Sequence, residues 1–107
     1  MAEIVRGPSD ELVLAVQNAL NAYEEQHPGA TAQLYRQNPG SIRVRIIDDA
    51  FGGKPRTSRH NLVWNFLVAQ LGKDSASELS LLLLLTHDEL SSSMMNQEFE
   101  SPLPSGL

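Results

Sequence analysis

The chain contains no cysteine in 107 residues, so it forms no disulfide, offers no thiolate to a metal and has no cysteine nucleophile. It also has no long apolar run. No run is longer than that of Leu81 to Leu85, which falls far short of the roughly 18–20 residues that cross a bilayer, so no membrane span is expected. The start Met1-Ala2-Glu3-Ile4-Val5-Arg6-Gly7-Pro8 lacks the apolar core and small-residue cleavage site of a secretory signal, which makes cytoplasm the expected compartment. Basic residues are few, 8 against 13 acids, and a net charge of -5 argues against a general nucleic-acid coat. What is present, 41% apolar and 20% charged residues, is an ordinary globular composition. At this length one domain hides roughly two-thirds of the surface its unfolded chain exposes, enough for a core without staples.

Residues 1–8 read as a tail. Ser9 is a candidate N-cap with Asp10 and Glu11 in the first turn, and Leu12, Val13, Val16, Ala19, Leu20 and Tyr23 form one apolar stripe, predicting a helix over 10–26 that His27-Pro28-Gly29 ends. Two strands, Thr31–Arg36 and Ser41–Asp48, flank a type II turn at Gln37-Asn38-Pro39-Gly40. In the second, Ile42, Val44 and Ile46 alternate with Arg43 and Arg45, so one face is apolar and the other starts basic. An irregular segment, 49–56, precedes a helix capped by Thr57 or Ser58 and stopped by Gly72. After a polar linker, 73–77, the leucine run Leu79–Leu85 predicts a strand covered on both faces, parallel to its neighbour. Thr86-His87-Asp88-Glu89 matches a capping box opening a helix to about Met95, with a flexible tail over 96–107.

The predicted architecture is α+β, a mixed three-stranded sheet with helices on one face. One row of the β-strand leucines, Leu82 and Leu84 or Leu81, Leu83 and Leu85, then needs cover from the last helix, the tail or a second copy in a homodimer.

Six of the eight basic residues, Arg36, Arg43, Arg45, Lys54, Arg56 and Arg59, lie between positions 36 and 59, against only Asp48 and Asp49. This local cationic region reads as a phosphate or acidic-partner contact, or as a solvated sheet face. Phe51-Gly52-Gly53-Lys54 lets backbone amides approach an anion but is no nucleotide P-loop, because the spaced first glycine is missing and Pro55 stands where a magnesium-binding Ser or Thr would. His60, with Trp64 four residues on, presents an imidazole beside an aromatic surface. His27, His60 and His87 have none of the spacings of a zinc motif. Asp48, Asp49, Ser58 and His60 are the residue types of a hydrolase triad, but no G-x-S-x-G elbow accompanies them.

The stretch from Asp49-Ala50-Phe51-Gly52-Gly53-Lys54 through Arg59-His60-Asn61-Leu62-Val63 resembles the signature of the BolA family, D-A-F-x-G-K, four variable residues, then R-H-x-x-V. The resemblance covers roughly residues 9 to 92, and Thr86-His87-Asp88-Glu89 is similar to the family's T-P-E-E close. It implies a fold related to the class II KH fold and a non-enzymatic protein acting with a monothiol glutaredoxin in iron-sulfur cluster handling. In that role His60 ligates a [2Fe-2S] cluster shared with the partner's cysteine and glutathione, and the chain has no cofactor of its own. The family's alternative role is a DNA-binding regulator of stress and envelope genes. Lys54, Arg56 and Arg59, with Arg43 and Arg45, would then meet DNA or a partner. Asp49, Phe51, Gly53, Val63 and Trp64 are expected to shape the motif. The chain departs from many members in lacking a His or Cys in the loop between the hairpin strands.

Overall fold

The computed structural model describes residues 1–102; the end of the expected tail, 103–107, lies outside the described residues. The elements run β1 (Glu3–Arg6), α1 (Glu11–Gln26), β2 (Thr31–Asn38), β3 (Ser41–Ile47), a 3-10 turn (Asp49–Phe51), α2 (Arg56–Leu71), α3 (Lys73–Ala76), β4 (Leu79–Leu85), a second 3-10 turn (His87–Glu89) and α4 (Met94–Glu100). The class is α+β, as the sequence predicts. The sheet is mixed and ordered β1-β2-β3-β4. β2 and β3 are antiparallel, and β4 returns parallel to β3 after α2, as a crossover through a helix requires.

The sheet has four strands instead of the expected three, because residues 3–6 of the supposed N-terminal tail form β1 and pair parallel with β2. A four-residue strand shows too little alternation to stand out; its signal is the β-branched pair Ile4-Val5 closed by Gly7-Pro8. Residues 96–100 of the supposed C-terminal tail are helical. The capping box of Thr86 and Glu89 forms but closes only a 3-10 turn; α4 starts later, where the Ser93 hydroxyl accepts the Asn96 amide. The expected linker 73–77 contains α3, with Ala76 buried. Boundaries also move locally. Asp10, not Ser9, caps α1, and α2 begins at Arg56 with no side-chain cap where Thr57 or Ser58 was expected. The hairpin tip is shortened to Pro39 and Gly40, and its strands run on to Asn38↔Ser41. Gly72 ends α2 as predicted, at φ 84, a conformation that glycine adopts without strain.

Helices cover both faces of the sheet, not one. On the first face Val13, Val16, Leu20 and Tyr23 of α1 and Val63 and Leu67 of α2 pack on Ile42, Val44, Ile46, Leu82 and Leu84. On the second, Leu81, Leu83 and Leu85 pack with Tyr35 and Phe99. The last helix therefore supplies the cover that the leucine rows demand. Phe99 is 1% exposed and meets Tyr35 edge-on, with ring centroids 5.0 Å apart. Arg6 of β1 closes the end of α4 by donating to the Phe99 and Glu100 carbonyls at 3.0 and 3.1 Å, placing a cation where helix carbonyls lack partners.

Phe99→Ala should destabilise the fold by about 3–5 kcal/mol in urea titrations, the usual cost of emptying a buried aromatic site. A loss below about 1 kcal/mol would mean that α4 does not hold this face in solution.

Candidate functional site

The motif segment is built as one unit between β3 and α2. Asp48, at the end of β3, accepts the Ala50 amide at 2.9 Å and starts the 3-10 turn, which drives Phe51 into the core. Gly53 follows at φ 79, where a side chain would be strained. Asp49 accepts both the backbone amide and the Nδ1 of His87, at 2.9 and 3.1 Å. These two bonds lower the Asp49 carboxyl pKa, the backbone one contributing most, and tie the turn to the chain leaving β4. Val63 is buried in the core, and Trp64 is half-buried.

Arg59 was expected to meet a phosphate or a partner; the structure turns it inward. It is 7% exposed, and its guanidinium grips both Glu89 oxygens at 2.7 and 3.0 Å while donating to the Leu84 carbonyl at 2.9 Å and the Lys54 carbonyl at 2.9 Å. One side chain thus joins the loop, the start of α2, the end of β4 and the turn after it. The bonds from Arg59 and from the Thr86 amide hold the Glu89 carboxyl at about 2, well below the usual range.

Arg43 and Arg45 are likewise engaged, on the face away from the loop. Arg43 pairs with Glu98 and donates to the Tyr35 hydroxyl at 3.0 Å. Arg45 pairs with Glu100, donates to Gln33 at 2.9 Å and Asn96 at 2.7 Å, and lies 4.7 Å over the Phe99 ring. Arg36 pairs with Asp10 and Glu78. Among the described residues, Lys54, Arg56 and His60 are in no ion pair.

These three line one side of a groove of about 670 Å³ whose floor is Leu81–Leu85 of β4 and whose other side is Ser93, Met94 and Met95. His60 is exposed and stacks near-parallel with Trp64, centroids 6.0 Å apart at 14°. The two other histidines do different work: His27 stacks on Tyr23 at 3.9 Å, and His87 faces Asp49. Asp49 is therefore not a partner for His60. Sequence reading missed the acids that consume the arginines. Their signal is Glu98-Phe99-Glu100 in the supposed tail, two acids that match the Arg43-x-Arg45 alternation. No helix among the described residues is long and apolar enough to cross a membrane.

No family model, no curated protein and no solved structure matches this chain.

Because its folded-state pKa is depressed, Glu89 contributes stability above the ordinary carboxyl value of about 4.5, and that contribution is lost as pH falls toward about 2. Asp10, held at about 2 mainly by Arg36, acts in the same window. Urea midpoints of the wild type should drop between these pH values, and Glu89→Gln should show a shallower drop with Asp10 still contributing. Equal slopes would show that the Arg59–Glu89 pair does not form.

Proposed function

We propose that the protein is a BolA-like, non-enzymatic adaptor that binds a monothiol glutaredoxin and lends His60 as one nitrogen donor to a [2Fe-2S] cluster. The observation that carries this reading is the exposed His60 imidazole, near-parallel to the Trp64 ring with centroids 6.0 Å apart, in the same loop-helix unit as the D-A-F-x-G-K and R-H residues. Histidines with structural duties, such as His27 here, are packed and hydrogen-bonded; His60 is neither buried nor paired with a carboxylate.

The donor set suits a shared centre. In this reading His60 is the chain's one nitrogen donor, and the sulfur ligands come from the partner, since the chain has no cysteine. The cluster, when bound, supplies electron transfer or iron-sulfur delivery. The chain's own residues place the ring: it lies near-parallel to Trp64, and the Arg59 fork, one residue earlier, fixes the backbone from which it projects. Lys54 and Arg56 add positive charge beside it, favourable to an anionic thiolate-ligated centre.

DNA binding is the weaker reading. Arg43, Arg45 and Arg59 are engaged by carboxylates, which leaves Lys54 and Arg56, and two phosphate contacts give a salt slope of only about −1.8.

Titrating the protein into a cluster-loaded monothiol glutaredoxin should change the visible absorption and circular dichroism of the cluster. His60→Ala should abolish that change while shifting stability by no more than about 0.5 kcal/mol, as for an exposed residue. An unchanged spectrum with the wild type would overturn the donor role.

A further inference from the structure

β4 is the last strand of the sheet, and among the described residues nothing pairs with its outer edge. Backbone direction alternates along it. The Asp48 amide takes the Leu85 carbonyl at 2.9 Å, so Leu85 turns its carbonyl toward β3, whereas the Leu84 carbonyl points outward and is taken by Arg59. By the same alternation, Leu82 presents its N–H and C=O to the groove. The end of the edge nearest Arg59 is thus blocked, and the middle is open. An open apolar edge normally carries charges or a cover that prevents pairing; here leucines line it.

The two sides of the groove differ in chemistry. The side on the α1/α2 face carries Lys54, in the loop just before α2, and Arg56, the first residue of that helix, whose start has no acidic residue and no side-chain cap to offset its positive end. The α4 side carries Met94 and Met95, the former 82% exposed, flexible apolar side chains suited to varied partners. A volume of about 670 Å³ is that of a ligand cleft, which takes roughly 300–1,000 Å³.

We infer that this groove binds an extended peptide of a partner protein as a fifth strand, with acidic side chains toward Lys54 and Arg56 alternating with apolar ones toward Met94 and Met95. The period of two follows from the pleat, since alternate residues of an added strand face opposite sides. A second copy of this chain suits the groove less well, because its own β4 edge brings the same cations, Lys54 and Arg56, against these. The inference does not depend on the cluster reading, and its test contains no metal.

The probe is a short peptide alternating Glu with Val, compared with a block-ordered peptide of the same composition. The alternating peptide should bind, protect the Leu82 amide from hydrogen exchange and weaken by about tenfold with Lys54→Glu plus Arg56→Glu, because charges at the groove's rim set its selectivity. Those substitutions lie on exposed side chains, so the fold provides the control. Equal binding of the block-ordered peptide would reduce the site to a charged patch and overturn strand addition. Lack of binding by either would also overturn it, as would protection of Leu82 that rises with protein concentration alone and signals a second copy.

Discussion

Leu81 to Leu85 form a strand with no polar face, and such a strand is stable only between two covering layers. The rest of the architecture answers that demand. The crossover through α2 brings one layer, with α1 beside it, and α4 brings the other from the far end of the chain. β3 must then be half apolar and half compatible with a small amphipathic cover, which is what its Ile/Val and Arg alternation provides. The position of the groove follows as well, because an edge strand covered on both faces by helices that overhang it lies at the bottom of a trough.

Arginine does several jobs in one short stretch, and the local sequence does not distinguish them. Arg59 and Arg56 sit three residues apart on the same helix, yet one is a buried structural fork and the other an exposed cation. The difference arises from the position along the axis: Arg56 stands at the mouth of the helix, whereas Arg59, nearly one turn on, lies beside the end of β4 and within reach of Glu89. A fork of fixed donors suits this duty better than an ammonium, since it can serve a carboxylate and two carbonyls at once.

What was legible in the sequence shared a pattern longer than a few residues. The α1 stripe, the Arg-x-Arg alternation, the leucine run and the Gly72 stop all appear where periodicity and backbone chemistry put them. β1 did not stand out because four residues hold two cycles of alternation at most, which left only the Ile4-Val5 pair to mark it. α4 was obscured by its composition: only Phe99 of its residues is buried, and the residues it docks against, Tyr35, Arg43 and Arg45, lie more than fifty positions away. For the candidate site, His60 beside Trp64 was readable from helical spacing, but the engagement of Arg43, Arg45 and Arg59 was not, since their carboxylates are remote in sequence.

Phe99 gives α4 an attachment point but no heading, for a helix held by one aromatic ring can swivel about it. Arg43 and Arg45 take Glu98 and Glu100, on either side of that ring, and Arg6 takes the carbonyls at the helix end. Three guanidiniums on two strands thus act as a compass for a seven-residue helix. Ion pairs of this kind add little net stability but make wrong orientations costly, since any other heading strands partly buried arginines without partners. The polar ring around Phe99 therefore sets direction, and through it the side of the trough on which Met94 and Met95 stand.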